Sequence, residues 1–365
     1  AALRGAGDTL VVAADKRRTR AASPLEMSVG DAAAAVIVGA GEGCARLLAC
    51  ASHTADFVDH YRGEDTAFDY QWEERWIRDA GYMTIVPAAI AQCLERARVA
   101  ASAVTHFCMP ATLPRVAASV AKAAGMAEKA VRDNLHAGCG EAGAAHPLIM
   151  LAAALEDAQP GERILVVGFG QGADALLFET TPAILDQPPR RGVRGHLARR
   201  KEETSYAKYL AFNDLVEIER GMRAEADKLT PLSSLWRNRD MLTGFLGGRC
   251  ATCGTLQFPR TAICVNPNCN AVHTQEPHPF AEMTGRINSY TADRLTYSPD
   301  PPACYGMIQF DAGGRVMIDF TDVDAEALAV GQPMRMMFRI KDVDAQRHFR
   351  RYFWKAAPIT GISNQ

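Results

Sequence analysis

Four cysteines in the last third of the chain constrain its fold more than any other feature of the sequence. Cys250 and Cys253 are separated by two residues, and after ten further residues come Cys264 and Cys269, which are separated by four. Two such pairs can close around one tetrahedral ion as thiolates. Because four thiolates leave no open coordination position, the spacing predicts a structural zinc ion and no metal catalysis.

A disulfide framework is the other interpretation of these cysteines. The chain has 365 residues and ten cysteines, and it does not begin with the basic stretch and apolar core of a secretion signal. Reduced thiols with one metal site account for the pattern better. The wider spacing of the second pair leaves open a degenerate ribbon that holds no metal.

The sequence that follows the cysteines is typical of a small β-barrel. Short alternating segments at 303–310, 316–320 and 334–340 are separated by glycine-containing turns. About five such strands predict an OB-fold barrel. We therefore expect a rubredoxin-like zinc ribbon at 246–280 and an all-β barrel at 281–360.

Residues 1–182 alternate strand-like and helix-like segments, which predicts α/β architecture. The predicted strands are 9–14, 33–38 and a central one at 163–168, and the predicted helices are 70–98 with a break near Pro87, 113–125 and 147–156. The apolar density falls between 183 and 245, which predicts a helical linker. We interpret its basic run, 190–201, as a solvated surface.

Composition argues against two classes of function. The formal net charge of −2 and a pI near 6.6 lack the basic excess of a nucleic-acid-binding protein. No apolar run reaches the roughly 18 to 20 residues that cross a bilayer, so we expect a cytoplasmic protein without a membrane partner.

An OB fold is also a common binder of single-stranded nucleic acid, and this remains a third hypothesis. The segment 347–354 offers arginines and aromatic rings. Nearby carboxylates oppose such a role, namely those of Asp311, Asp319, Asp322, Asp324 and Glu326.

Five short motifs in the last third carry a resemblance to a known family. They are Gly248–Gly254, Gln257–Arg260, Thr291–Asp293, Pro301-Pro302 and Tyr305–Phe310. Together they resemble the zinc-ribbon and OB-fold family named DUF35. Members of that family accompany thiolase-superfamily enzymes, so the resemblance implies a module that docks a thiolase and forms part of an acyl-CoA channel.

The first part of the chain carries a second resemblance. Segments 28–37, 112–126, 138–156 and 160–172 are similar, in order and spacing, to the second half of the thiolase-superfamily condensing enzymes hydroxymethylglutaryl-CoA synthase and ketoacyl synthase III. The resemblance implies a layered αβαβα fold. It also implies an enzyme in which a cysteine thiolate at a helix N-terminus takes an acyl group from a thioester.

The nucleophilic cysteine of that family lies in the first half of its fold, which corresponds to sequence upstream of Ala1. Three arrangements follow from the resemblance. A further segment supplies the nucleophile, another polypeptide supplies it, or the chain is a relict without catalysis of its own.

The family's histidine corresponds to the neighbourhood of Thr105–Pro110. His106 suits proton transfer, because the pKa of an unperturbed histidine lies near neutrality. Cys108 fits the position better if Pro110 is the anchor, in which case the histidine has been lost. A purely structural histidine at a strand end is the alternative.

The family's asparagine, or the histidine of a thiolase Gly-His-Pro motif, corresponds to residues 138–147. Glu141 aligns by helix spacing, His146 followed by Pro147 imitates the thiolase motif, and Cys139 is a further candidate. A small-residue turn that only permits close packing is the alternative.

Three glycines, Gly168, Gly170 and Gly172, follow the predicted central strand. The resemblance implies that their backbone N–H groups lie beside an oxyanion and contact substrate. A tight strand turn is the alternative interpretation.

These expectations favour a component of CoA-dependent acyltransfer or condensation that forms or cleaves carbon–carbon bonds in acyl-CoA thioesters. The second hypothesis is a noncatalytic scaffold that docks a separate thiolase and channels acyl-CoA. Half of a thiolase fold alone would expose apolar surface, so a thiolase-family subunit or a second copy of the chain is the expected partner.

Overall fold

The computed structural model describes residues 7–187, 191–225 and 231–359. They form two compact units that divide after Val216. Two parts of the predicted linker lie outside the described ranges, namely 188–190 and 226–230. Residue 190, which begins the basic run, and residue 360, which ends the predicted barrel, also lie outside them. No helix within these ranges combines the length and apolarity that crossing a bilayer requires.

The described residues of the first unit, 7–187 and 191–216, contain eight strands. A mixed sheet has the order β3-β8-β7-β6, in which β6 and β7 are parallel, and β1-β2 and β4-β5 are separate antiparallel pairs. The bounds are β1 Thr9–Lys16, β2 Asp31–Val38, β3 Ala45–Thr54, β4 His60–Tyr61, β5 Tyr70–Gln71, β6 His106–Cys108, β7 Arg163–Gly170 and β8 Gly172–Thr180.

Strand β7 lies between β8 and β6 in the mixed sheet, and helices cover both faces of this sheet. Leu165 and Val167 pack into one core with Ile90 and its neighbours, whereas Ile164 and Val166 pack on the opposite face with Met150. All four β7 side chains are buried, which explains the continuous apolar run at this position. The predicted layered α/β architecture and the central strand are confirmed.

Seven helices of this unit have the bounds α1 Glu74–Trp76, α2 Met83–Ala97, α3 Val116–Ala123, α4 His136–Cys139, α5 His146–Asp157, α6 Gly192–Ala198 and α7 Tyr206–Phe212. Helices α2 and α5 lie on opposite faces of the mixed sheet. The predicted helix 113–125 is observed as α3, in which Val116 and Val120 are buried.

The predicted helix 70–98 is wrong at its start and at its break. Tyr70–Gln71 is a strand, and α1 begins after Glu73, whose carboxylate accepts hydrogen bonds from the Arg75 and Trp76 amides. A π-helical segment, Ile77–Tyr82, joins α1 to α2, and α2 continues through Pro87. Proline removes one backbone donor, but α2 continues past Pro87 to Ala97.

The β1-β2 hairpin is held against the loop that precedes α5. The Gly30 amide donates to the Glu141 carbonyl at 2.8 Å, and the Glu141 amide donates to the Ser28 carbonyl at 2.9 Å. Ala13, Ala32 and Ala34 pack behind this contact. The two strands predicted here are confirmed, and their pairing fixes the position of Glu141.

The second unit is a small three-stranded sheet followed by a five-stranded one. The first has the order β10-β9-β11 and the second β14-β13-β12-β15-β16. The bounds are β9 Leu246–Cys250, β10 Leu256–Gln257, β11 Gln275–Pro279, β12 Gly285–Asp293, β13 Ala303–Phe310, β14 Arg315–Asp319, β15 Pro333–Asp344 and β16 Phe349–Pro358, with short helices α8 Leu232–Arg237 and α9 Arg239–Gly244.

The five-stranded sheet curls until its two edge strands meet. Phe320 and Ala356 form a bridge, and the Thr321 amide donates to the Ala356 carbonyl at 2.8 Å. Closure removes unpaired edges and encloses a core that contains Phe245, Phe280 and Phe310. The predicted ribbon and barrel are confirmed.

A matched glycine pair tests the turn between β7 and β8. Gly172 has a φ of +112°, and a Cβ there would lie 2.2 Å from the His53 carbonyl oxygen, whereas a Cβ on Gly170 meets nothing within 4 Å. We expect Gly172→Ala to lower the free energy of unfolding by about 1–3 kcal/mol or more, because backbone strain and a clash add. Gly170→Ala should change it by less than about 1 kcal/mol in urea unfolding. Equal losses in both variants would contradict this account.

Candidate functional site

The first unit contains a cavity of about 650 Å³ near the carboxyl end of β7. Gly168, Gly170 and Gly172 line one side, and Glu141 and Arg17 line another. The volume is in the range of small-molecule sites, and both apolar and charged groups converge on it. The cavity is therefore the candidate functional site of this unit.

A buried ion network forms part of the cavity wall. The Arg17 Nε donates to Asp69 Oδ2 at 2.6 Å, and the Arg17 Nη1 donates to Glu141 Oε2. The side chains of Arg17 and Asp69 are each 4% exposed, and that of Glu141 is 10% exposed. Burial alone would lower the pKa of Arg17, but the charge of Glu141 and the hydrogen bond to Asp69 raise it above its usual value.

The network holds the Glu141 carboxylate in one orientation. Its second oxygen, Oε1, accepts a hydrogen bond from the Gly143 amide at 2.8 Å. A carboxylate that is paired on both oxygens is a fixed negative charge, which can orient a ligand or a neighbouring group. As a general base it would first have to lose part of this pairing.

His146 lies next to the cavity but is fully buried. Its Nδ1 accepts a hydrogen bond from the Ala142 amide at 3.0 Å, and its Nε2 donates to the Asn134 carbonyl at 2.7 Å. Burial lowers the pKa of His146, so the neutral imidazole is favoured. With both nitrogens engaged, the ring supports the loop that carries Glu141.

The structure does not bring His106 and Cys108 into the cavity. The His106 Nε2 lies 2.8 Å from Glu162 Oε2, beside the amino end of β7, whereas the cavity adjoins the carboxyl end. The Cys108 thiol donates to the Met150 carbonyl at 3.6 Å, and burial raises its pKa to about 12. A thiol with this pKa is almost entirely protonated near neutral pH.

Cys139 is partly buried at the end of α4, where its thiol contacts the Leu135 and Gly140 carbonyls. Burial raises the pKa of this thiol as well. No cysteine lines the cavity within residues 7–187, 191–225 and 231–359. Of the four predicted catalytic residues, the structure places only Glu141 in the cavity wall.

Sequence reasoning missed the cationic and acidic partners of Glu141. Arg17 lies in the charged run 16–18 that ends β1, and Asp69 lies in an acidic loop. Charge runs usually lie on solvated surfaces, so neither position stood out. The cavity wall also contains Ser52, which donates to Asp174 Oδ1 at 2.5 Å.

In the second unit the four predicted metal ligands lie together. The Sγ atoms of Cys250, Cys253, Cys264 and Cys269 all fall within 4.8 Å of one another, with Cys253 to Cys264 at 3.6 Å and Cys250 to Cys269 at 3.9 Å. Tetrahedral zinc with bonds of about 2.3 Å separates its sulfurs by about 3.8 Å. The donor set and its spacing therefore fit a structural zinc ion, which these four thiolates would hold.

Three known families match this chain in succession. The ketoacyl synthase III C-terminal family, described for 3-oxoacyl-[acyl-carrier-protein] synthase III, matches residues 94–178. The rubredoxin-like zinc ribbon of ChsH2 matches 244–271, and the C-terminal OB-fold domain of ChsH2 matches 279–339. The cavity's glycine turn and Glu141 fall within the first match, and the four cysteines within the second.

Curated relatives divide in the same way. A DUF35 domain-containing scaffold protein from Methanothermobacter thermautotrophicus is 25% identical over 36% of this chain and 99% of its own length. A hydroxymethylglutaryl-CoA synthase from Aeropyrum pernix is 26% identical over 56% of this chain and 57% of its own length. The chain thus spans little more than half of the thiolase-fold relative.

Among solved structures, 3-oxoacyl-(acyl carrier protein) synthase III from Pseudomonas aeruginosa is 20% identical, with a TM-score of 0.43 over 48% of this chain and 58% of its own. A hydroxymethylglutaryl-CoA synthase complexed with CoA is 18% identical, with a TM-score of 0.46 over 59% of each chain.

We expect elemental analysis to find about one zinc ion per chain, held by four thiolates. Cys264→Ser should lose most of this zinc and unfold the ribbon at a lower temperature, because metal binding supplies much of the folding energy of so small a module. Cys50→Ser removes an exposed thiol in the first unit and is the matched control. Wild-type zinc content in the Cys264 variant would argue against the assigned ligand set.

The buried ion network should dominate the stability of the first unit. Arg17→Met leaves the buried Glu141 carboxylate without its cation and the buried Asp69 carboxylate without one of its two arginine partners, and we expect a loss of about 3–5 kcal/mol in the free energy of unfolding. Arg62 also pairs with Asp69, at 2.7 Å, but is 40% exposed. Arg62→Met should cost less than about 1 kcal/mol in the same urea titration. Similar losses for both arginines would refute this ranking.

Protonation of His136 should destabilise the first unit in mild acid. Burial, followed by the charge of His146, lowers the pKa of His136 to about 4 from an ordinary 6.5. The unfolded state therefore binds more protons between those values, and stability falls as the pH drops from 6.5 to 4. We expect a contribution of about 2 kcal/mol after allowance for partial exposure.

The ring centroids of His136 and His146 lie 4.8 Å apart, and His136→Phe keeps an aromatic ring at this position. Urea unfolding at pH 7 and pH 4.5 should show a smaller acid loss in this variant than in the wild type. An unchanged acid loss would assign the effect to other groups.

Proposed function

We propose that this chain, which joins a thiolase-like ketoacyl synthase III C-terminal domain to a ChsH2-type zinc ribbon and OB fold, is the acyl-CoA-binding component of a condensing enzyme. The reaction class is Claisen-type formation or cleavage of a carbon–carbon bond next to a thioester. The relationship to hydroxymethylglutaryl-CoA synthase supports this class.

One observation carries the proposal: the same cavity is lined by the paired Glu141 carboxylate and by a glycine turn that has room for a ligand. A Cβ on Gly168 would have only Pro147 Cγ nearby, at 3.8 Å, and a Cβ on Gly170 would have no neighbour within 4 Å. Packing alone therefore does not require glycine at these two positions. We assign the space beside their backbone to the thioester group, whose developing oxyanion backbone N–H groups can stabilise.

The predicted catalytic residues take different roles in this proposal. Glu141, held by Arg17, orients the reacting groups, and His146 positions the Glu141 loop. His106 and Cys108 stabilise the sheet at a distance from the chemistry. The thiolate that accepts the acyl group belongs to a further segment or to a partner polypeptide, because the cavity is not lined by a cysteine in the part of the chain described.

A scaffold without catalysis of its own is the second candidate. A specific observation favours it: the match to a DUF35 domain-containing scaffold protein extends over 99% of that protein. In this alternative the second unit docks a separate thiolase-family subunit and lines its acyl-CoA channel, and zinc has only a structural role. In both candidates we assign the protein to the reducing cytoplasm, where the ten cysteines stay reduced, four of them as zinc ligands and six as free thiols.

Acetyl-CoA binding and thiol protection distinguish the two candidates. The purified native protein, with any chain that accompanies it, is titrated with acetyl-CoA and then labelled with iodoacetamide before intact mass spectrometry. The proposal predicts that acetyl-CoA protects one thiol and binds about tenfold more weakly in Glu141→Gln, because this variant removes the negative charge that orients the reacting groups. Glu162→Gln, which alters the His106 pair outside the cavity, is the matched control.

Protection of a thiol on an accompanying thiolase, with no effect of Glu141→Gln, would support the scaffold instead. Absence of acetyl-CoA binding to any preparation would eliminate both candidates.

A further inference from the structure

Seven aromatic rings of the first unit form a continuous series that starts in the cavity wall and ends at the surface. We call this series the aromatic ladder. The centroids of successive rings are 4.3, 5.8, 4.1, 6.4, 6.3 and 5.6 Å apart in the order Tyr82, Phe169, Phe57, Trp76, Trp72, Tyr70 and Tyr61. Tyr82 and Phe169 themselves line the cavity.

The rings near the cavity are covered and the last four are exposed. Tyr82 and Phe57 are buried and Phe169 is partly buried. Trp76, Trp72, Tyr70 and Tyr61 are 39%, 54%, 56% and 49% exposed. Large aromatic side chains are costly to leave in water when they lie in one contiguous strip, and such strips usually mark a binding surface. The last four rings therefore keep much of their surface uncovered by the described residues of this unit. At the other end of the ladder, Tyr82 and Phe169 already line the cavity.

A glycine in the π-helical segment makes the inner part of the ladder possible. A Cβ on Gly81 would lie 2.8 Å from the Phe57 ring and 2.9 Å from the Phe169 ring. Any larger residue would force these two rings apart and interrupt the series. The series of ring contacts between the cavity and the surface thus depends on a backbone position without a side chain.

The charge around the ladder selects the kind of ligand. Between Asp56 and Asp79 the chain carries eight carboxylates and three arginines. Asp69 is buried against Arg17, and the other seven carboxylates leave an excess of four negative charges over the three arginines. Such a surface repels the phosphates of the CoA nucleotide, although adenine itself stacks well on aromatic rings. An uncharged apolar group meets no such penalty.

We propose that the aromatic ladder binds the acyl part of a large apolar acyl-CoA thioester, with the reacting carbonyl in the cavity and the nucleotide directed away from the ladder. This inference rests on the proposed function and specifies its substrate class as acyl groups of about ten carbons or more. A docked protein could cover Trp72 and Tyr70, but it would leave the cavity rings Tyr82 and Phe169 unexplained.

The test compares two thioesters that differ only in acyl length. Calorimetric titration of the full-length protein, with any accompanying chain, measures the dissociation constants of acetyl-CoA and decanoyl-CoA. We expect decanoyl-CoA to bind at least about tenfold tighter, because each buried methylene adds to affinity. Trp72→Ala and Tyr70→Ala should each remove much of this preference and leave acetyl-CoA binding unchanged.

Trp236→Ala is the matched control, since Trp236 is 68% exposed but lies in the second unit outside the ladder. It should leave the preference for decanoyl-CoA intact. Gly81→Ala is a second probe: it should reduce decanoyl-CoA affinity more than acetyl-CoA affinity by displacing two inner rings. Thermal unfolding of each variant identifies any that fails to fold. If Gly81→Ala does not fold, Trp72→Ala and Tyr70→Ala still test the inference, because these two side chains are exposed.

Three outcomes would overturn the inference. Equal affinity for the two thioesters in the wild type removes the acyl-length preference while the proposed function stands. Loss of an accompanying protein in Trp72→Ala, with the decanoyl preference intact, assigns the surface rings to a protein interface. Failure of both thioesters to bind refutes the proposed function itself.

Discussion

The buried guanidinium of Arg17 is the interaction on which the first unit depends. It joins three segments that are distant in sequence: the end of β1, the loop before β5 and the loop that carries Glu141. Removing two carboxylates and a guanidinium from water is costly, and only close pairing in good geometry offsets that cost. The shape of the cavity wall therefore depends on the pairing of Arg17 with Asp69 and Glu141.

Much of the architecture could be predicted from local patterns. The apolar run at 163–168 predicted a central strand, and the spacing of four cysteines predicted one cluster of thiols, because both signals lie within short stretches of sequence. The same reasoning failed at Pro87, where proline predicted a break. Gly81 of the π-helical segment before α2 packs against the Phe57 and Phe169 rings, and such packing is not visible in a linear pattern.

The candidate site was less accessible to sequence reasoning. Resemblance to a family suggested all three candidates. Glu141 aligns by helix spacing, His106 lies near the position of the family's histidine, and His146 imitates a thiolase motif. The structure engages His106 with Glu162 and both nitrogens of His146 with backbone groups. Arg17 lies 124 residues from Glu141, and the aromatic ladder combines three segments. Long-range pairings of this kind leave no periodic signal.

The distance between Arg17 and Glu141 along the chain has a kinetic consequence. Contacts between residues far apart in sequence form slowly, since the entropy of closing a long loop must be overcome before the contact contributes. The backbone hydrogen bonds within helices α2 and α5 join residues that are close in sequence, so these helices can form early. The cavity wall closes only after β1, the Asp69 loop and the Glu141 loop have come together, so we expect the binding site to be among the last parts of this unit to become ordered during folding.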